Sequence, residues 1–157
     1  MSPLPSIPRG MYFDEFEVGQ RIISAGRTIT ESDIVAFAGL SGDYTQIHTD
    51  AEYSRKTPIG QRIAHGMLGM SIASGLAAQT GVMEGTVIVF REINSWKFIK
   101  PIFIGDTIHV ELKVVETKAL RRIGGGSVTI DLSVLNQKNE ELMKGSWTVL
   151  IADRPAQ

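Results

Sequence analysis

From Ile63 to Met83 the chain carries no Asp, Glu, Lys or Arg. That run constrains the fold more than any other. Its middle, AHGMLGMSIASGLAAQ over residues 64–79, is small or apolar on every face, and a helix without a polar face has to be enclosed by other structure on most sides. A membrane span wants about 20 predominantly apolar residues, and here Gly, Ser, Gln, Thr and His dilute the stretch. The spacing therefore predicts a buried helix that begins near His65 and Gly66 and forms the centre of a core.

After Gly85 the pattern changes to strands. TVIVFRE, SWKFIK, TIHVELKVVET, SVTIDLSVL and SWTVLI all read as β, and Ile108, Val110, Leu112 and Val114 alternate against polar neighbours. NQKNEE reads as a hairpin connection. Mainly antiparallel strands following one long apolar helix imply an α+β domain whose curved sheet lies against that helix. At 157 residues the chain has the length of one domain, with no internal repeat or linker. We divide it into an N-terminal arm over residues 1–12 and a domain over 13–153. Prolines and acids in the N-terminal stretch MSPLPSIPRGMYFDEF interrupt the continuous apolar run that a signal peptide needs.

Charge and composition exclude several classes of function. The formal net charge is -1, with Lys and Arg scattered, which is not the footprint of a nucleic-acid binder. The absence of cysteine removes disulfides, thiolate catalysis and Cys-based zinc sites. The expectation is a cytoplasmic protein with no nucleic-acid or membrane partner.

The chemistry concentrates in SGDYTQIHTD, residues 41–50. In TESDIVAFAGLSG, Thr30 is placed to cap a helix that carries Ile34, Phe37 and Ala38 on one face and stops at Gly42. Thr49 and Glu52 have capping-box spacing, which predicts a second short helix through DAEYSRK, before Pro58, with His48 just ahead of its start. Asp43 then follows a helix C-terminus, where the macrodipole should make its carboxylate more basic. His48 would lie near an N-terminus, where neutral imidazole is favoured. Such a pair can hold and activate one water. Spacing alone leaves a simpler alternative open, in which Asp43 is an Asx-turn residue and His48 a loop residue touching water. Neither His65, opening the apolar helix, nor His109, on a strand's polar side, completes a metal site with them. At Gly66 the buried helix presents unpaired N–H groups without a side chain in the way, a place to polarise a carbonyl oxygen.

The segment FAGLSGDYTQIHTDAEYSRKTPIGQRIAHGMLGMSIASGL, with FIKPIFIGDTI downstream, resembles the MaoC-like dehydratases, the family of (R)-specific 2-enoyl-CoA hydratases. The similarity runs from about Phe16 to Ile151, and its most specific part is G-D-x(4)-H followed by A-H-G-M. The resemblance implies a hot-dog fold and at least a homodimer, with an acyl-CoA thioester as substrate. It implies no metal and no cofactor beyond the CoA of the substrate itself. By the same resemblance Asp43 and His48 match the catalytic pair, Gly66 the glycine whose N–H meets the thioester oxygen, and Ser74 a serine near the catalytic loop. Tyr44, Thr45, His65 and Met67 are further candidates for substrate contact. Many relatives carry asparagine then proline where this chain has Thr45 and Gln46, so the support of the loop differs here.

The implied reaction is syn addition of water to a trans-2-enoyl-CoA, giving an (R)-3-hydroxyacyl-CoA. A hot-dog acyl-CoA thioesterase and a noncatalytic acyl-CoA-binding module are the competing readings. Other features have plainer explanations. Arg121 and Arg122 before three glycines fit a strand bend better than a phosphate site, and Asp106 in FIGDT fits a turn.

Overall fold

The computed structural model describes residues 10–155. Its sheet is antiparallel throughout: β1 (Arg21–Ile23), β4 (Thr107–Leu120), β5 (Gly125–Leu135), β6 (Glu141–Ala152) and β3 (Val87–Phe98) lie side by side in that order, and β2 (Arg27–Thr28) also pairs with β4. Four helices precede β3: α1 (Glu31–Ser41), α2 (Gln46–Thr49), α3 (Ala51–Arg55) and α4 (Gly66–Gln79). Sheet and α4 enclose the core, the arrangement of a hot-dog fold. Among the described residues no helix is long and apolar enough to cross a membrane.

The alternation read from β4 holds: Ile108, Val110, Leu112 and Val114 are buried and meet Val128, Ile130, Leu132 and Val134 of β5 in the core. Burying a side chain of this size contributes roughly 1.5–3 kcal/mol. From α4 come Leu68, Ile72, Ala73, Leu76 and Ala77. At Gly69 the helix approaches so closely that a Cβ would lie 2.4 Å from Met143 Cε and 2.6 Å from Ile102 Cδ1.

In two places the elements differ from the expectation. TVIVFRE and SWKFIK are one strand, because the β3–β6 ladder absorbs the interruption as register shifts, the last between Ile93 and Ser95. α4, expected to be enclosed on most sides, is also covered over a smaller part of its surface. Met67, Ser71, Ser74, Gly75 and Ala78 are exposed along one face in the single chain, so sheet contact covers only part of the helix.

Of the arm, residues 1–9 lie outside the described residues. Gly10 and Met11 donate backbone hydrogen bonds to Glu84 and Val82 at 2.7 Å, so this end of the arm is docked on the domain. The glycine-rich bend also has a packing reason. Gly124 closes a turn at φ 64°, and a Cβ on Gly126 would enter the Phe13 ring. Arg121 and Arg122 are exposed, and Asp106 accepts from the Phe103 N–H at 2.8 Å as a turn residue.

Candidate functional site

α1 ends as its caps dictate. Thr30 accepts from the Asp33 N–H, and Gly42 turns the chain with a left-handed φ of 76°. Asp43 leaves that turn exposed to solvent and folds back on the next residues: its Oδ1 accepts from the Thr45 N–H at 3.1 Å and from the Thr45 hydroxyl at 2.5 Å. The Asx-turn alternative thus describes the local geometry, and it commits only one carboxylate oxygen. These bonds also overturn the sign expected from the helix dipole. The Thr45 hydroxyl, then the Thr45 N–H, holds the Asp43 carboxyl below the ordinary aspartate value. Two direct donors to the anion outweigh a diffuse partial charge at the end of α1.

His48 lies inside α2, not ahead of the next helix. The predicted capping box is replaced by Asp50, whose side chain accepts from the Tyr53 N–H at 2.9 Å to start α3. Buried Ser54 ties α2 to α3 by donating to the carbonyls of Gln46 and Ile47. His48 is half-buried, and its Nδ1 lies 2.8 Å from the Ile63 carbonyl oxygen. A carbonyl only accepts, so Nδ1 carries the proton, and Nε2 of the neutral ring keeps its lone pair. Ile63 is itself fixed, because its N–H donates to Ile47 and the residue bridges to Phe103.

His65 completes the cluster. Its ring stacks on His48 with centroids 3.9 Å apart and planes at 29°, and its Nε2 lies 2.9 Å from the Asp43 carbonyl oxygen. Only 2% of His65 is exposed. His65, expected to contact substrate, is placed with its one bonded nitrogen on the protein backbone and its other buried. Ionisable atoms of Asp43, His48 and His65 all fall within 4.8 Å of one another. Lone pairs of two nearly parallel rings cannot converge in-plane on one ion, so the arrangement suits proton handling better than metal ligation.

Gly66 follows directly as the first residue of α4, where a backbone N–H has no intrahelical acceptor. A Cβ there would lie 2.8 Å from Phe98 Cε1. Beside it opens a cavity of about 480 Å³ lined by Ile63, Gly66, Met67, Phe98, Ile102 and Met143 among others, nearly all apolar, with Lys100 the one charged residue of its wall. Met67 and Tyr44 are exposed and available to a ligand. Ser74 is not brought to the loop: it lies about 12 Å along the helix from Gly66 at 1.5 Å per residue, and its hydroxyl donates to the Ser71 carbonyl at 2.7 Å. Of the bulky residues near the loop, Phe37 packs on His65 at 5.0 Å, whereas Trp96 stacks on Trp147 away from the cavity wall.

Two features were not apparent in the sequence. Thr45 donates to Asp43, and His65 reaches back across 22 residues to the loop. For Thr45 the D-x-T spacing of an Asx turn is a usable signal. For His65 no local pattern exists.

Residues 15–136 match the model of the MaoC like domain. The chain is 34% identical over 119 residues to the 3-hydroxybutyryl-CoA dehydratase of Methylorubrum extorquens, covering 76% of this chain and 73% of that protein. Protein MaoC of Klebsiella aerogenes is 39% identical over 105 residues, 67% of this chain, and the chain spans only 31% of its length. Among solved structures, the monoamine oxidase regulatory protein from Archaeoglobus fulgius superposes with a TM-score of 0.87 at 38% identity, covering 94% of this chain and 98% of that one. The R-hydratase PhaJ1 from Pseudomonas aeruginosa superposes with a TM-score of 0.79 at 30% identity, covering 92% and 88%. On this breadth of match, the chain belongs to the MaoC-like dehydratase family.

Proposed function

We propose that the chain is a lyase that adds water reversibly to a trans-2-enoyl-CoA, giving the (R)-3-hydroxyacyl-CoA. The observation that carries this reading is the placement of the Asp43 carboxylate and the His48 imidazole within 4.8 Å, against the first turn of α4 and beside an apolar cavity. The names of the dehydratase and R-hydratase relatives support it.

The chemistry follows from the acceptors. Asp43 keeps one carboxylate oxygen outside the Thr45 bonds, and His48 keeps the Nε2 lone pair. One water can give a hydrogen to each and turn its own lone pair toward C3 of the enoyl thioester. As the C3–O bond forms, the proton released is held on the pair and delivered to C2 on the same face. Negative charge moves onto the thioester oxygen, where the Gly66 N–H meets it, an interaction worth about 3 kcal/mol by comparison with other oxyanion donors. Every step uses groups of the chain and the substrate, and the only CoA involved is the substrate's own.

The same reading has the chain working as a homodimer. β3 is the last strand of the sheet and shows exposed Val87, Ile88, Val89, Phe90 and Ile93, an edge that natural sheets cover, charge or pair. Phe98, the last residue of β3, lines the cavity together with Met67, and both are exposed in one chain, so a second copy on β3 would help to wall the substrate channel.

The test follows loss of the enoyl-thioester chromophore with crotonyl-CoA and longer trans-2-enoyl-CoAs, with chiral analysis of the product. Asp43→Asn and His48→Ala should each lose about 10²- to 10⁴-fold in rate while remaining folded. Release of free thiol without hydration would instead identify a thioesterase. Binding of acyl-CoA without turnover at any chain length would identify a binding module.

A further inference from the structure

We infer that His65 is a positioning residue that holds Asp43 and His48 in register with the helix terminus at Gly66. The inference rests on the hydratase reading for its consequence in rate and on geometry for its content.

Three contacts converge on this one buried ring. The Asp43 carbonyl oxygen, 2.9 Å from Nε2, can only accept, so Nε2 carries a proton and donates it. One ring face lies on His48 at 3.9 Å, and Phe37 of α1 packs at 5.0 Å and 55°. Through its backbone the residue caps α4, its carbonyl accepting from the Gly69 N–H at 3.1 Å. Its other nitrogen, Nδ1, is buried with no hydrogen-bond partner among the described residues. A protonated ring would need an acceptor there and would place a buried charge against His48. His65 therefore works as a neutral single donor, and its place in the site is mechanical.

His65 touches all three parts of the site. The Asp43 backbone comes from the end of α1, His48 from α2, and Gly66 from α4, and none of the chain segments between them is long enough in regular structure to fix their spacing alone. A misplacement of about 1 Å can cost 10²-fold in rate. A residue touching all three controls that placement without touching substrate.

Three variants separate the parts of this role. His65→Gln keeps a donor near the Nε2 position and loses the ring. His65→Phe keeps a ring against His48 and Phe37 and loses the donor. His65→Leu loses both. With folding checked by circular dichroism, the leucine variant should lose about 10²-fold in kcat, with KM changed by less than about threefold. Glutamine and phenylalanine should each restore part of the loss. In nitrogen-15 NMR of the wild type, His65 should show a protonated Nε2 in slow exchange with water. The ring protons of His48 should shift in the glutamine variant and remain near their wild-type positions in the phenylalanine variant.

A kcat within twofold of wild type in His65→Leu overturns the inference, as does a rise in KM with kcat unchanged, which would return His65 to substrate contact. A wild-type chain that hydrates no enoyl thioester removes the hydratase reading alone. The NMR then decides the positioning role: a protected Nε2–H and the variant-specific His48 shifts support it, and a rapidly exchanging or doubly protonated His65 overturns it.

Discussion

The Thr45 hydroxyl donates to Asp43 Oδ1 across 2.5 Å, and the Thr45 N–H joins it at 3.1 Å. Both bonds favour the anion, so the carboxyl is held below its ordinary value. A general base works only when deprotonated. The acid limb of the kcat/KM profile should therefore fall below the ordinary aspartate range, with activity lost as pH drops through it.

Thr45→Val tests that coupling. The methyl group keeps the volume and removes the hydroxyl donor, so the Asp43 carboxyl should rise toward its ordinary value and the acid limb should move up in pH. Near neutral pH the variant should stay active, because Asp43 remains ionised there. A pH–rate profile superimposable on that of the wild type would show that the hydroxyl does not tune the base.

How much of this was legible depends on how local each cause is. Thr30 and Gly42 bound α1 as the sequence predicts, because caps act within one turn. α4 was legible from its missing charges, and β4 to β6 from alternation. β1 and β2 were not, since strands of three and two residues exist only through pairing with β4. The sign at Asp43 came out opposite because a dipole argument takes account of the helix end and ignores a hydroxyl two residues on. The contacts of His65 were illegible for another reason: its partners are fixed by how α1, α2 and α4 pack, and no spacing in the sequence encodes that.

Gly66→Ala should separate stability from activity. The added Cβ meets Phe98 at 2.8 Å, but Phe98 is 55% exposed and its ring can swing away. Relief of the clash and the better helix propensity of alanine, up to about 1 kcal/mol, should leave the melting temperature within a few degrees. The displaced ring moves at the cavity wall beside the N–H assigned to the thioester oxygen, so kcat/KM should fall by about 10²-fold. Full activity in Gly66→Ala would argue against that N–H as the oxyanion donor.

Gly69→Ala should do the reverse. Its Cβ would press on Met143 and Ile102, which are 1% and 4% exposed and cannot leave. Overpacking of this kind costs about 1–3 kcal/mol, measurable as a lower urea midpoint with an unchanged slope. The site lies one turn away on α4, so residual activity per folded molecule should stay within a few-fold of wild type. An unchanged midpoint would mean that α4 is less tightly seated on β6 than these contacts imply.

The free edge of β3 gives the last prediction. Twelve residues of strand with exposed Val87, Ile88, Val89 and Phe90 would be an aggregation site if left bare, and the sequence places no proline within it and only Arg91, Glu92 and Lys97 as charges. The homodimer proposed above would cover this edge by pairing it with a second copy. Val89→Lys puts a charge within the exposed apolar run 87–90 of that edge without touching Asp43, His48 or Gly66. Sedimentation should then fall from twice the chain mass to the single 17.2 kDa chain. On the proposed homodimer activity should fall with it, mainly through KM, because Phe98 and Met67 of the cavity wall would lose the cover of a second copy. A wild-type protein that already sediments as one chain would remove the homodimer from the proposal and leave the chemistry at Asp43 and His48 to be tested on its own.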